Sequence, residues 1–96
     1  MPEMNFLVRW PDDSVDACYS PSLVVREYFD VGESYALADF VARSRIALTL
    51  ASDRVREKYG FACSNALRQL ATIDERARAF EIDEGARVVI EAFEPG

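Results

Sequence analysis

The chain contains no histidine in its 96 residues. That removes the side chain that titrates near neutral pH, and with it the commonest general base, histidine-based triads and most zinc sites. Cys18 and Cys63 are the only two cysteines; they fit no metal-ligand spacing, and no other thiol completes a four-ligand site. The glycines are Gly32, Gly60, Gly85 and Gly96, all isolated, which excludes a glycine-rich phosphate loop. No apolar helical stretch is long. The longest, around Ile46 to Ala51, is far below the ~20 residues that span a bilayer. Met1-Pro2-Glu3-Met4 has neither a basic nor an apolar leader region, so no signal peptide is expected. Neither a metal nor a cofactor is expected. The expected compartment is the cytoplasm, with both thiols reduced.

Half of the residues are hydrophobic and 29% are charged, a globular rather than a disordered composition. The length suits a single domain over residues 1–96. Lysine is nearly absent: one stands against ten arginines, and with 13 alanines this is the skew of GC-rich bacterial genomes. The net charge of −6 disfavours binding to nucleic acid or to an anionic membrane. It is unevenly spread. Residues 1–42 hold two bases and eight acids, residues 43–78 eight bases and four acids, and residues 79–96 one base and five acids. An acidic sheet end therefore carries a basic helical hairpin. The plain reading is a solvated helix face with pairs such as Asp39–Arg43. The sharper one is an acidic partner, or a second copy docking sheet end to hairpin.

Met4 to Trp10 is β-rich and stops at Pro11-Asp12-Asp13-Ser14, a type I turn signal. Val15 to Ser20 returns as a second strand. A four-residue loop puts Met4, Phe6, Val8, Val15, Ala17 and Tyr19 on one face. A three-residue loop with Asp13 left-handed puts Ser14, Asp16, Cys18 and Ser20 there instead. The first gathers the apolar set and is the expected register. Ser20-Pro21 opens a short helix over 21–29. Asp30 to Ser34 breaks it. From Tyr35 to Tyr59, Leu37, Val41, Ser44, Leu48, Ala51, Val55 and Tyr59 recur at helical spacing. Gly60 is a stop signal, and Ser64 or Cys63 caps a third helix with Leu67, Leu70, Ile73, Ala77 and Phe80 on one side. Arg87 to Phe93 is a closing strand, with Val89 and Phe93 opposite Val88 and Ile90. The order is β-β-short α-α-α-β. It predicts a two-layer α+β domain, a three-stranded antiparallel sheet with an αα-hairpin packed on one face. The apolar residues on the second sheet face need cover, from the short helix or from a second chain about a two-fold axis.

Few residues can carry chemistry. Cys63 is the better thiol candidate, because a helix N-terminus favours a thiolate, although free cysteines are most often small buried hydrophobes. Arg9 and Trp10, followed by Pro11-Asp12, put a guanidinium and an indole at a hairpin tip that can clamp a planar or anionic ligand; the simpler reading is a strand end pinned by its turn. Tyr19, Tyr28, Phe29, Tyr35 and Phe40 gather around the short helix, as core aromatics do. Asp12, Asp13, Glu81, Asp83 and Glu84 lie in turns without the apolar surroundings of a catalytic carboxyl.

Four strings, Arg9 to Asp13, Cys18 to Phe29, Ser34 to Leu48 and Ala51 to Leu67, occur in an order that resembles a small bacterial family named for a nitrogen-starvation response. The likeness runs from about Met1 to Phe93. It implies expression under nitrogen limitation, beside genes for a nitrilase, a radical-SAM protein and an acetyltransferase, and it implies no site residues. The chain departs from the family pattern at Asp13, where glycine is usual, and at Ala36, where proline is usual. The expected function is that of a non-catalytic accessory or adaptor protein acting on a protein partner, an enzyme of that gene cluster, with a homodimer as a further expectation. The alternative is a small thiol- or ligand-binding protein, or an enzyme, using Cys63 or the Arg9/Trp10 tip. A nucleic-acid-binding regulator is a distant third.

Overall fold

A computed structural model of the chain describes residues 3–95. Strand β1 (Met4–Arg9) and strand β2 (Val15–Ser20) form the hairpin, followed by a 3-10 helix (Leu23–Glu27) and strand β3 (Ser34–Ala36). Helix α1 (Leu37–Tyr59) and helix α2 (Ser64–Arg78) then fold back on each other, and strand β4 (Arg87–Pro95) closes the sheet. The fold is α+β with an antiparallel sheet, as expected, but the sheet has four strands in the order β2-β1-β4-β3. The unforeseen strand is β3. Of its three residues, Ser34 lies where the chain was read as a break and Tyr35 and Ala36 where the long helix was expected to start, and the segment is held by distant partners. Gly32 N–H donates to Ile90 O (2.7 Å), Ile90 N–H to Glu33 O (3.2 Å) and Leu37 N–H to Ala86 O (3.2 Å).

Helix α1 begins at Leu37 rather than Tyr35. Ala36, the residue before it, has φ −58 and ψ 145, backbone angles that suit proline. The helix ends where Gly60 takes φ 84 and returns its N–H to Arg56 O at 2.7 Å, a left-handed stop that glycine adopts without a Cβ clash. The expected segment 21–29 is shorter than foreseen, a single 3-10 stretch whose Ser22 hydroxyl accepts from Val24 N–H at 3.1 Å.

The hairpin takes the register that was not expected. Arg9 faces Val15, Val8 faces Asp16 and Phe6 faces Cys18, so Asp16, Cys18 and Ser20 share the core side with Phe6 and Val8. The tip explains the choice. Asp13 sits at φ 70, where glycine costs least, and Asp12 Oδ1 accepts from both Ser14 N–H (3.0 Å) and Ser14 Oγ. Hydrogen bonding, not hydrophobicity, sets the face. A second correction concerns β4, where the register shifts between Leu7 and Val8: Val8 faces Ile90 but Leu7 faces Ala92. Glu91 is the extra residue of a bulge, so Phe93 swings to the core side opposite Phe6 instead of joining Val89.

One core results. Phe6, Val8, Trp10, Cys18, Tyr35, Val88 and Ile90 from the sheet meet Val25, Phe29, Phe40, Ala47, Leu48, Ile73 and Ala77. The 3-10 helix packs on this same side, with Val24 and Val25 buried. It therefore does not cover the opposite face. In α2 the buried positions are Ala66, Ile73 and Ala77, whereas Leu67 is 51% exposed.

Candidate functional site

The sequence-predicted candidates are scattered. Arg9 is the last residue of β1 and Trp10 the first beyond it, and their side chains part, Arg9 to the open face of the sheet and Trp10 into the core. Arg9 pairs with Glu91 on the open face, which raises its pKa, and its Nη1 donates to Asp13 O at 3.1 Å. Trp10 is buried in the core. Its ring stacks on Phe80 with centroids 6.0 Å apart and meets Phe40 edge-on at 5.5 Å. The indole N–H donates to Asp16 Oδ2 at 2.8 Å, and the same oxygen accepts Arg76 Nε at 3.0 Å. The Arg76 guanidinium lies 5.3 Å from the indole centroid and reaches Ser14 Oγ at 2.6 Å. The two bonds from Ser14 hold the Asp12 carboxyl below its usual pKa. A cavity of about 510 Å³ opens beside this network, with Cys18 in its wall. Burial pushes the Cys18 thiol up to about 12, so it is protonated at neutral pH.

Cys63 lies at the far end of the molecule, at the tip of the αα-hairpin. Helix α1 ends there at Gly60, and Cys63 is the residue preceding α2. Its N–H donates to Ser52 Oγ at 3.2 Å, which ties the connection back onto α1. A cavity of about 320 Å³ is lined by Val55 and Tyr59 from α1, Phe61 and Cys63 from the connection, Tyr19 and Pro21, and Glu3. The Tyr19 hydroxyl donates to Glu3 Oε1 at 3.1 Å, while its backbone N–H donates to Gln69 Oε1 at 3.0 Å. Burial first, and then the neighbouring Glu3 and Cys63, push the Tyr19 phenol up to about 12. The outer wall is aromatic: Tyr59 is 52% exposed, Phe61 is 67% exposed, and their ring centroids are 6.5 Å apart. Lys58 Nζ sits 5.6 Å from the Tyr59 centroid, and Arg56 and Arg68 are exposed nearby in sequence.

Residues 5–93 match the family model of the nitrogen starvation-induced protein NitG. The chain belongs to that family. No curated protein and no solved structure matches it significantly. The nitrogen starvation-induced family thus supplies a physiological setting, and the chemistry has to be read from the residues.

In this family member the αα tip holds a thiol, a phenol and a carboxylate together, but not a base poised to act. The phenol is protonated at neutral pH, and the carboxylate is already bonded to it. What the tip presents outward is two rings, an apolar pocket and unpaired bases. Sequence reading singled out Cys63 but missed Tyr19, Glu3, Tyr59 and Phe61 as its neighbours. Of these, Phe61 following the helix stop at Gly60 was the available signal. A cleft of about 680 Å³ between the first turns of α1 and the last of α2 takes in the turn acids Glu81, Asp83 and Glu84 but neither Cys63 nor Arg9 nor Trp10, and is bridged by the Arg45–Asp74 pair. Among the described residues no cluster of His, Cys, Asp or Glu could hold a metal ion, and no helix is long and apolar enough to cross a membrane.

Proposed function

We propose that this protein is a non-catalytic accessory or adaptor in the nitrogen-starvation response, docking through its αα tip onto an acidic surface of an enzyme encoded beside it. The exposed Tyr59–Phe61 pair carries this reading. Aromatic rings beside arginine are the composition of interface anchors, and the pocket behind them can seat a partner's apolar side chain. The basic hairpin supplies the matching charge, with Arg56, Lys58 and Arg68 exposed. The purified nitrilase, radical-SAM protein and acetyltransferase are the partners to titrate. One of them should bind, and Tyr59→Ala/Phe61→Ala should weaken it at least about tenfold while the fold is kept. Equal affinity for the variant, or no binding to any of the three, refutes the proposal.

A thiol-based reading is supported by the position of Cys63 in the wall of the same cavity. It requires that Cys63 alkylates quickly in the folded protein. Labelling as slow as that of buried Cys18 rejects it.

A further inference from the structure

The turn between α2 and β4 presents the most exposed large hydrophobic side chain of the described residues. Ile82 is 95% exposed, against 67% for Phe61, so it rests on nothing in its own chain. The turn that carries it is held by its own hydrogen bonds. Asp83 N–H donates to Phe80 O at 3.1 Å, Ala86 N–H to Asp83 O at 3.0 Å, and Gly85 N–H to Asp83 Oδ1 at 3.0 Å. Phe80 at its start is stacked on Trp10. Glu81, Asp83 and Glu84 flank the isoleucine, and none of them forms an ion pair among the described residues. The result is an ordered apolar knob among unused carboxylates.

We propose that this knob seats in the αα tip of a second copy of the chain, with Ile82 in the cavity of about 320 Å³ behind Tyr59 and Phe61. The contact rests on the same tip as the adaptor reading and deepens it: what the tip recognises is an aliphatic side chain flanked by carboxylates. Val55, Tyr59 and Phe61 give the cavity an apolar wall, and Glu3, the one acid lining it, already accepts from the Tyr19 hydroxyl. The charges are complementary. Residues 53–68 hold four bases and two acids, whereas residues 81–84 hold three acids and no base. Lys58 Nζ stands at the rim, 5.6 Å from the Tyr59 centroid. The same three carboxylates border the cleft of about 680 Å³, so an apolar floor that includes Val41, Ala77 and Ala86 lies beside the isoleucine for the rings of the tip to cover.

The contact has to be between copies. Helix α2 separates the tip from the turn, and its fifteen residues, rising about 1.5 Å each, set them about 22 Å apart. Each copy thus offers a knob at one end of α2 and a hole at the other, a heterologous contact that closes into a ring or runs on as a chain. An enzyme that docks on the tip must displace the second copy, so self-association and partner binding compete. With one apolar anchor the contact belongs among the weak, transient ones.

Sedimentation velocity on the purified chain, from tens of micromolar to about millimolar protein, tests this. The wild-type mass should climb from 10.8 kDa as the concentration rises. In about 0.5 M salt the same climb should need several-fold more protein, because exposed charges are then screened. Ile82→Glu, which removes the knob, and Tyr59→Ala/Phe61→Ala, which removes the outer wall of the hole, should each keep the monomer mass with an unchanged circular dichroism spectrum. Mixed in equal amounts, these two variants should form a dimer and nothing larger, since one supplies the hole and the other the knob. A wild-type monomer across the whole range overturns the proposal, and because no enzyme is present it leaves the adaptor reading to its own titration. Association that persists in Ile82→Glu, association that salt does not weaken, or variants that stay monomeric when mixed overturn it as well.

Discussion

The two hairpin tips carry similar side chains and use them in opposite ways. At the β1–β2 tip an indole, a guanidinium and carboxylates are spent on one another: Asp16 serves both Trp10 and Arg76, and Asp12 serves Ser14. At the α1–α2 tip the rings of Tyr59 and Phe61 face solvent, and Arg56 and Lys58 form no ion pair among the described residues. The difference is tertiary. The β tip is pressed against α2, so its polar groups must find partners within the protein. The α tip meets the sheet only at Glu3, Tyr19 and Pro21 and leaves its two rings at the surface, where water or a partner can satisfy the same groups. A ring beside an arginine therefore marks a site only where the fold has left both unused.

The strongest test of this contrast is truncation of the two sets of rings. Trp10→Ala removes the stack on Phe80 and the edge contact with Phe40 from a fully packed position, and should cost about 3–5 kcal/mol of unfolding free energy. A loss below about 1 kcal/mol would show that the β tip is not part of the core. Next is Arg76→Ala, which leaves Asp16 with only the indole N–H. Because the guanidinium is partly solvated, the expected loss is about 1–2 kcal/mol by urea denaturation. Smallest of the three, Phe61→Ala should change stability by no more than about 0.5 kcal/mol, since its ring leaves little behind to collapse.

The same contrast separates what could be read from the chain from what could not. Long-period features were legible. The long helix ending at Tyr59, the stop at Gly60 and the closing strand with Val88 and Ile90 all stand, because each rests on local spacing, although the buried stripe gives out before Tyr59. The hairpin register was misread because an apolar tally assigns Val15 and Ala17 inward, whereas Asp16 is drawn in by Arg76 sixty residues away. Strand β3 was invisible for the same reason: three residues after Gly32 become a strand only when Ile90 arrives beside them. The bulge at Glu91 moved Phe93 across the sheet without any glycine or proline to announce it. At the candidate site, Cys63 was legible from its place before a helix. Its neighbours Tyr19 and Glu3 come from the other end of the chain, and no spacing rule connects them.

A pH titration sharpens the comparison with the smallest effect, because two adjacent residues of β2 report on the two tips. Cys18 lines the cavity beside Trp10 and is raised from 9.0 to about 12; Tyr19 lines the cavity at the α tip and is raised from 10.0 to about 12. Both are acids that hold their protons longer in the folded chain than in the unfolded one. The stability each contributes is therefore whole below the unfolded value and drains away as the pH climbs toward 12. Wild-type protein should begin to lose stability above about pH 9, where unfolded Cys18 starts to ionise. Cys18→Ala should delay that onset by about one pH unit, leaving the Tyr19 step, and Tyr19→Phe should leave the onset in place and flatten the curve only above about pH 10. The Cys18 change should be the larger, since its thiol is buried and the phenol is partly hydrated. Melting temperatures measured across this range decide it: equal slopes in wild type and Cys18→Ala would mean that the thiol reaches water, and the β tip would then be as open as the α tip.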